Sequence, residues 1–234
     1  MATRKQKQPI LTDPSCYTYY DRKNEICWVL QPPICEQGKD NTGLSEKSLE
    51  HIKNSLNSWS DSGVETYIVD DQPLGDYMLG ENLTEFTEKS IAFAVKLNLD
   101  KSENYSFMNN PTGYLFDSKD NLFDDVEILS TISFSPCSNG GYSIDYSVVN
   151  EKYRGKGIGG RMIKSFIDNQ DFFTYGRRVK TLYTSVREDN TRSLAMLKKL
   201  GFVVAPHYGR LSPSKNGKCY HTYKKSLVDE MEMM

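Results

Sequence analysis

The chain has 234 residues, of which 38% are hydrophobic and 12% aromatic. That is enough apolar material for a domain with a buried core, and it excludes wholesale disorder, collagen-like repeats and low-complexity architecture. The net charge of -2 hides an asymmetry: residues 1–150 hold 12 Lys and Arg against 23 Asp and Glu, whereas residues 151–200 hold 12 against 5. A basic block in an acidic chain suits a locally held polyanionic ligand, or a solvated helix face, better than a nucleic-acid footprint over the whole surface.

The first ~20 residues are polar, carry Pro9 and Pro14, and read as a flexible arm (1–20). Glu25–Gln31 reads as a strand ended by Pro32 and Pro33. Leu49, Ile52 and Leu56 recur at helical spacing, so a helix is expected over 45–56. Val64–Val69 is a short strand candidate, and Leu83–Leu97 is expected to be a helix capped by Asn82 or Thr84. From residue 112 the rhythm changes. Gly113–Asp117, Val126–Phe134 and Tyr142–Val149 are strand-like runs with turn residues between them, which predicts an antiparallel meander. A helix over Ile158–Asn169, a strand over Val179–Val186 and a helix over Thr191–Leu200 ended by Gly201 follow. Phe202–Ala205 and Tyr220–Lys224 are the last strands, and 229–234 is a tail. The fold class is mixed α/β.

No apolar run approaches ~18 residues, so no membrane contact is expected. MATRKQKQPILTDPS turns polar at once, which predicts no secretory signal. Five cysteines, an odd number without metal-ligand spacing, point to reduced structural thiols in a cytoplasmic protein with no metal.

The chemistry concentrates in Val148-Val149-Asn150-Glu151-Lys152-Tyr153-Arg154-Gly155-Lys156-Gly157-Ile158-Gly159-Gly160. A strand runs into glycines and then directly into an amphipathic helix. Glycines let backbone N–H groups converge, and the helix start adds unpaired donors and a positive dipole end, together a phosphate site. Gly155-x-Gly157-x-x-Gly160 formally matches the dinucleotide fingerprint. However, five residues intervene after Val149, and the next strand ends in Ser185-Val186-Arg187 without the required acid. The G-x-x-x-x-G-K-[ST] phosphate loop is absent, and a ligand-free turn would waste the backbone entropy of four glycines.

Arg154-Gly155-Lys156-Gly157-Ile158-Gly159 resembles the R/Q-x-x-G-x-G/A motif of the GNAT superfamily of N-acetyltransferases. Asn190-Thr-Arg-Ser193-Leu-Ala-Met196-Leu197-Lys-Lys199-Leu-Gly201-Phe202 resembles that superfamily's N-x-x-A-x-x-L-Y-x-K-x-G-F segment. The resemblance covers 140–205 strongly and 112–227 by strand order, which places an acetyl-CoA-binding core at 111–228 and leaves 21–110 as an N-terminal part of the domain or an extension. It implies a twisted, mostly antiparallel sheet splayed between its fourth and fifth strands, with flanking helices. It further implies acetyl-CoA as co-substrate, its pyrophosphate on the amides of Gly155, Lys156, Gly157, Ile158, Gly159 and Gly160 beside Arg154. Its pantetheine arm would lie along Ser147, Val148 and Val149 and against Asn190, with Lys156, Arg161 and Lys164 as counter-charges.

The activity implied is acetyl transfer to a primary amine by direct attack in a ternary complex. The acceptor would be a small amine or a peptide or protein amine; a homodimer is compatible with the pattern. The superfamily's tyrosine acid falls on Leu197, and a glutamate base of some relatives falls on Ser185. Asp145, four residues before Val149 and so expected on its face, is the candidate base; Tyr208 and Tyr220 are the candidate acids. His207 and His221 flank the tyrosines without metal spacing, and Cys137 has no histidine partner at a recognisable spacing. Alternatives are a longer acyl-CoA donor, a protein N-terminal or lysine acetyltransferase, and a non-catalytic acyl-CoA-binding sensor of the same fold.

Overall fold

Near-continuous runs of apolar and small residues along ICWVLQ, SIAFAVK and EILSTISFSP form central strands buried on both faces. The computed structural model describes residues 17–21, 26–31, 46–59, 73–79, 90–96, 114–115, 127–174, 179–205, 210–211 and 219–227. Its strands are β1 (Tyr17–Asp21), β2 (Ile26–Gln31), β3 (Ser90–Lys96), β4 (Tyr114–Leu115), β5 (Glu127–Pro136), β6 (Tyr142–Val149), β7 (Thr181–Arg187), β8 (Val203–Val204), β9 (Arg210–Leu211) and β10 (Tyr220–Ser226). The helices are α1 (Glu46–Asn57), α2 (Leu74–Leu79), α3 (Ile158–Asp168), α4 (Gln170–Phe173) and α5 (Thr191–Lys199). One sheet runs β4-β1-β2-β3-β5-β6-β7-β10-β8, with β9 also on β10. No described helix is long and apolar enough to cross a membrane.

Three expectations are corrected. Residues 90–96 of the expected helix over Leu83–Leu97 form β3; residues 83–89 lie outside the described residues, as do Val64–Val69. The reason is cross-strand packing: Ala94 stands opposite Trp28 and Ala92 opposite Leu30, so small residues make room for large ones on one face. Ile91, Phe93 and Val95 are buried on the other face. The flexible arm does not include 17–20, which belong to β1; residues 1–16 are not described. The meander holds only for β5 and β6, because β4 pairs with β1 at the sheet's far edge.

One face of the sheet carries the main core, in which Trp28, Phe134, Phe166, Phe173, Leu182 and Leu197 pack together. Phe166 of α3 stands edge-on to Phe134 and stacks on Phe173, both at 4.9 Å between ring centroids. Trp28 Nε1 donates to Ser165 Oγ at 2.7 Å, which satisfies the buried indole. Met162, Ile163 and Phe166 thus fix α3, and with it the loop that precedes it. Cys27, Val29, Ile91, Phe93 and Val95 bury the opposite face; α1 and α2 bury Ile52, Leu56, Leu74 and Met78 outside the main core.

Candidate active site

β6 and β7 are the sheet's parallel pair, joined by the crossover through α3 and α4. Their pairing covers only Tyr142↔Leu182, Ser143↔Tyr183 and Ile144↔Thr184. Beyond it, β6 follows β5 as far as Val149↔Ser130, and β7 follows β10 as far as Arg187↔Tyr220. Each strand holds to its outer neighbour, so the two part and leave a wedge lined by the free edge of residues 145–149. This is the splay expected between the fourth and fifth strands, here the sixth and seventh.

At the mouth of the wedge the chain turns. Asn150 donates its amide to Leu129 O at 2.9 Å, and its Oδ1 accepts from the Lys152 amide at 3.1 Å, which sets a short 3-10 turn over Glu151–Tyr153. Arg154 Nε donates to the Val149 carbonyl at 3.1 Å and ties the loop to the strand end. Gly155 and Gly157 both take φ +76°, where an L side chain is strained, yet a Cβ on either would meet nothing within 4 Å. Space above the loop is therefore open. Gly157 caps α3 with no side-chain hydrogen bond, and the first turn holds no acidic residue, so the leading amides of the helix face outward unneutralised. Gly159 is set closer: a Cβ there would stand 3.4 Å from Met196 Sδ and from Val149 Cγ2, where α3 packs on α5 and β6. At Gly160 the contact would be an ordinary 3.8 Å.

The basic residues divide. Lys156 is exposed, with its ammonium 5.0 Å from the centre of the Tyr153 ring. Tyr153 donates its hydroxyl to Glu127, and burial together with that carboxylate pushes the phenol up to about 12. Lys164, expected to face phosphates, is bonded to Asp168 at 2.9 Å. Asn190 caps α5, its Oδ1 accepting from the Ser193 amide at 3.2 Å. Ser147 and Val149 point to the α3 side, since they pair with Ile132 and Ser130, which belong to that side. Val148 pairs with Thr131 and points away.

Asp145 does not share the face of Val149. A bulge between Ile144 and Tyr146 breaks the alternation, and the Asp145 carboxylate accepts from Ser135 Oγ at 3.0 Å on the side away from α3. Tyr220 is on that side too, paired with Arg187. Burial raises the Tyr220 phenol, Arg187 opposes the rise, and Tyr146 and Asp189 add to it. Tyr146 of β6 and Tyr220 of β10 are thus near neighbours beside the wedge, with the buried Arg187 held by Asp189 between their strands. Sequence reasoning passed over Tyr146 and Arg187; the parity that brings them to this face follows from the bulge, which no local pattern announces. Tyr208 and His207 lie outside the described residues. Leu197 is buried in the main core, and Ser185 Oγ stands 3.2 Å from Thr222 Oγ1. Burial raises the Cys137 thiol, with the Asp145 charge adding to it, so it is a poor nucleophile at neutral pH. Among the described residues no group of His, Cys, Asp and Glu is placed to hold a metal ion.

The family model for the acetyltransferase (GNAT) family matches residues 82–202. Similar solved structures include the ribosomal-protein-S18-alanine N-acetyltransferase from Escherichia coli, at 13% identity, covering 80% of this chain and 94% of that one with a TM-score of 0.46. The NatC complex bound to Gag peptide and CoA matches at 14% identity over 86% of this chain and 99% of that one, with a TM-score of 0.45. A Bacillus subtilis acetyltransferase in complex with CoA matches at 12% identity over 65% and 84%, with a TM-score of 0.40. No curated protein matches the sequence.

Proposed function

Because this chain belongs to the acetyltransferase (GNAT) family, we propose that it transfers acetyl from acetyl-CoA to a primary amine by direct attack in a ternary complex. The observation that carries this reading is the wedge between β6 and β7, with the start of α3, which has no side-chain cap, and two positive-φ glycines at its mouth. The amides from Gly155 to Gly160 take the pyrophosphate, with Lys156 as its mobile counter-charge and Arg154 bracing the loop against Val149. The free edge of β6 over Ser147–Val149 offers peptide groups to the pantetheine arm, and Asn190 stands at the start of α5.

The co-substrate supplies an acyl carbon already activated as a thioester. A C–N bond forms as the C–S bond breaks, so the amine must lose a proton and the departing thiolate must gain one. Asp145, on the side away from α3, receives the amine proton directly or through water. Backbone N–H groups on the free edge of β6 face the developing oxyanion. Tyr220 donates to the thiolate; burial keeps its phenol protonated above the usual value near 10, so it imposes no falling limb below that pH. Asp145→Asn should lower the rate of CoA release about 10²-fold at neutral pH, with the deficit shrinking as pH rises and the amine deprotonates unaided. Rates equal to wild type across pH 6–9 would remove Asp145 from the mechanism.

A second reading, an acyl-CoA-binding module without turnover, draws on Leu197, which puts a buried aliphatic side chain where the family's acid would stand. It requires that acetyl-CoA binds while no amine releases CoA above background.

A further inference from the structure

A cavity of 510 Å³ lies where the end of α1 meets the start of β5 and the turn after β6. Trp59 supplies an aromatic wall, and Glu127 and Glu151 supply two carboxylates. α1 reaches the cavity through Ser55, and Ser58 follows it there; the last turn of the helix holds no basic residue to offset the negative end of its dipole. Lys152 also lines the cavity, but its ammonium is largely in solvent and 3.8 Å from Glu127, a contact that an incoming cation can replace. An indole, two carboxylates and a helix C-terminus together favour an organic cation over an anion or a neutral group.

The cavity lies just past the end of β6, the strand that borders the wedge. Asn150, in its lining, directly follows the strand, and Ile128 pairs with Val95 and so points to the side away from α3. Asp145, Tyr146 and Tyr220 are on that same side. At ~3.3 Å per residue, Tyr146 and Asn150 are about 13 Å apart along the strand, a span that an extended aliphatic polyamine can cover.

Resting on the acetyl-transfer reading, we propose that this cavity holds the second cationic group of the acceptor, whose first amine reacts at the wedge. The acceptor is then an aliphatic di- or polyamine. A cation that displaces Lys152 from Glu127 also acts on the residue that holds the Tyr153 hydroxyl, beneath Lys156. Acceptor binding is thereby linked to the phosphate loop.

The test titrates spermidine, and n-butylamine for comparison, into the full-length protein without acetyl-CoA while tryptophan fluorescence is followed. Spermidine should give a saturable change that disappears in Trp59→Phe and needs at least tenfold more ligand in Glu151→Gln; n-butylamine should give none at the same concentrations. With acetyl-CoA present, Glu151→Gln should raise the KM for spermidine at least tenfold and leave that for n-butylamine within twofold. A spermidine titration that is identical in wild type and Glu151→Gln, or a signal that survives Trp59→Phe, overturns the cavity as the cation site. Spermidine binding without turnover overturns its role as an acceptor subsite. If acetyl-CoA itself fails to bind, the transfer reading falls, and the fluorescence titration still judges the cavity independently.

Discussion

Gly157→Glu should abolish acetyl-CoA binding in a protein that remains folded. Gly157 takes φ +76° at the cap of α3, and a Cβ there would meet nothing within 4 Å. The cost to the fold is therefore conformational, about 1–2 kcal/mol for a left-handed L residue. A carboxylate at the cap would also interact favourably with the start of the helix, offsetting part of that cost. It would do so by occupying the place assigned to the pyrophosphate and by facing it with like charge. The expected loss is about 3 kcal/mol or more of binding, roughly a hundredfold in Kd. Gly157→Ala separates the two effects: it carries the same backbone strain without the charge and should bind far better than the glutamate variant. Affinity for the glutamate variant within tenfold of wild type would mean that the phosphates are held elsewhere.

Phe166→Ala should be the most damaging core substitution of α3. The ring is fully buried and contacts Phe134 edge-on and Phe173 face-on. Its removal costs transfer energy and leaves a cavity beside Phe134 and Phe173, together about 3–5 kcal/mol. That is a large share of the ~5–15 kcal/mol by which a domain is stable. Since Phe166 anchors the helix whose first turn is proposed to meet the pyrophosphate, acetyl-CoA affinity should fall as well. Urea unfolding reads the stability loss; a change below about 1 kcal/mol would show that α3 is held mainly from its other contacts. Phe166→Leu, which keeps most of the volume, should cost considerably less.

What was legible in the chain was local. β6, α3, β7 and α5 follow from alternation, from the glycines at 155 and 157, and from Asn190 and Gly201 at the ends of a helix. The loop proposed for the phosphates could be read because glycine is the residue that its positive-φ backbone at 155 and 157 demands. β3 was illegible because SIAFAVK is a short apolar run that suits a buried helix or a strand equally well; Trp28, more than sixty residues earlier, decides between them. The side of the sheet on which Asp145 lies differs from the one expected for a related reason. Alternation holds only while the pairing with β5 is regular, and the bulge at Asp145 interrupts it. The Tyr146–Arg187–Tyr220 neighbourhood and the Tyr153–Glu127 bond join residues from different strands and turns, and only the sheet register brings them together.

The central claim is that the wedge and the glycine loop hold acetyl-CoA. Its most direct test is a calorimetric titration of acetyl-CoA into the full-length protein at two salt concentrations, with NAD as the comparison ligand. The account predicts saturable one-to-one binding of acetyl-CoA that weakens as salt rises, because amides, a helix start and Lys156 meet the phosphates, and no comparable binding of NAD. Absence of binding at millimolar acetyl-CoA in low salt, or equal binding of NAD, would contradict it.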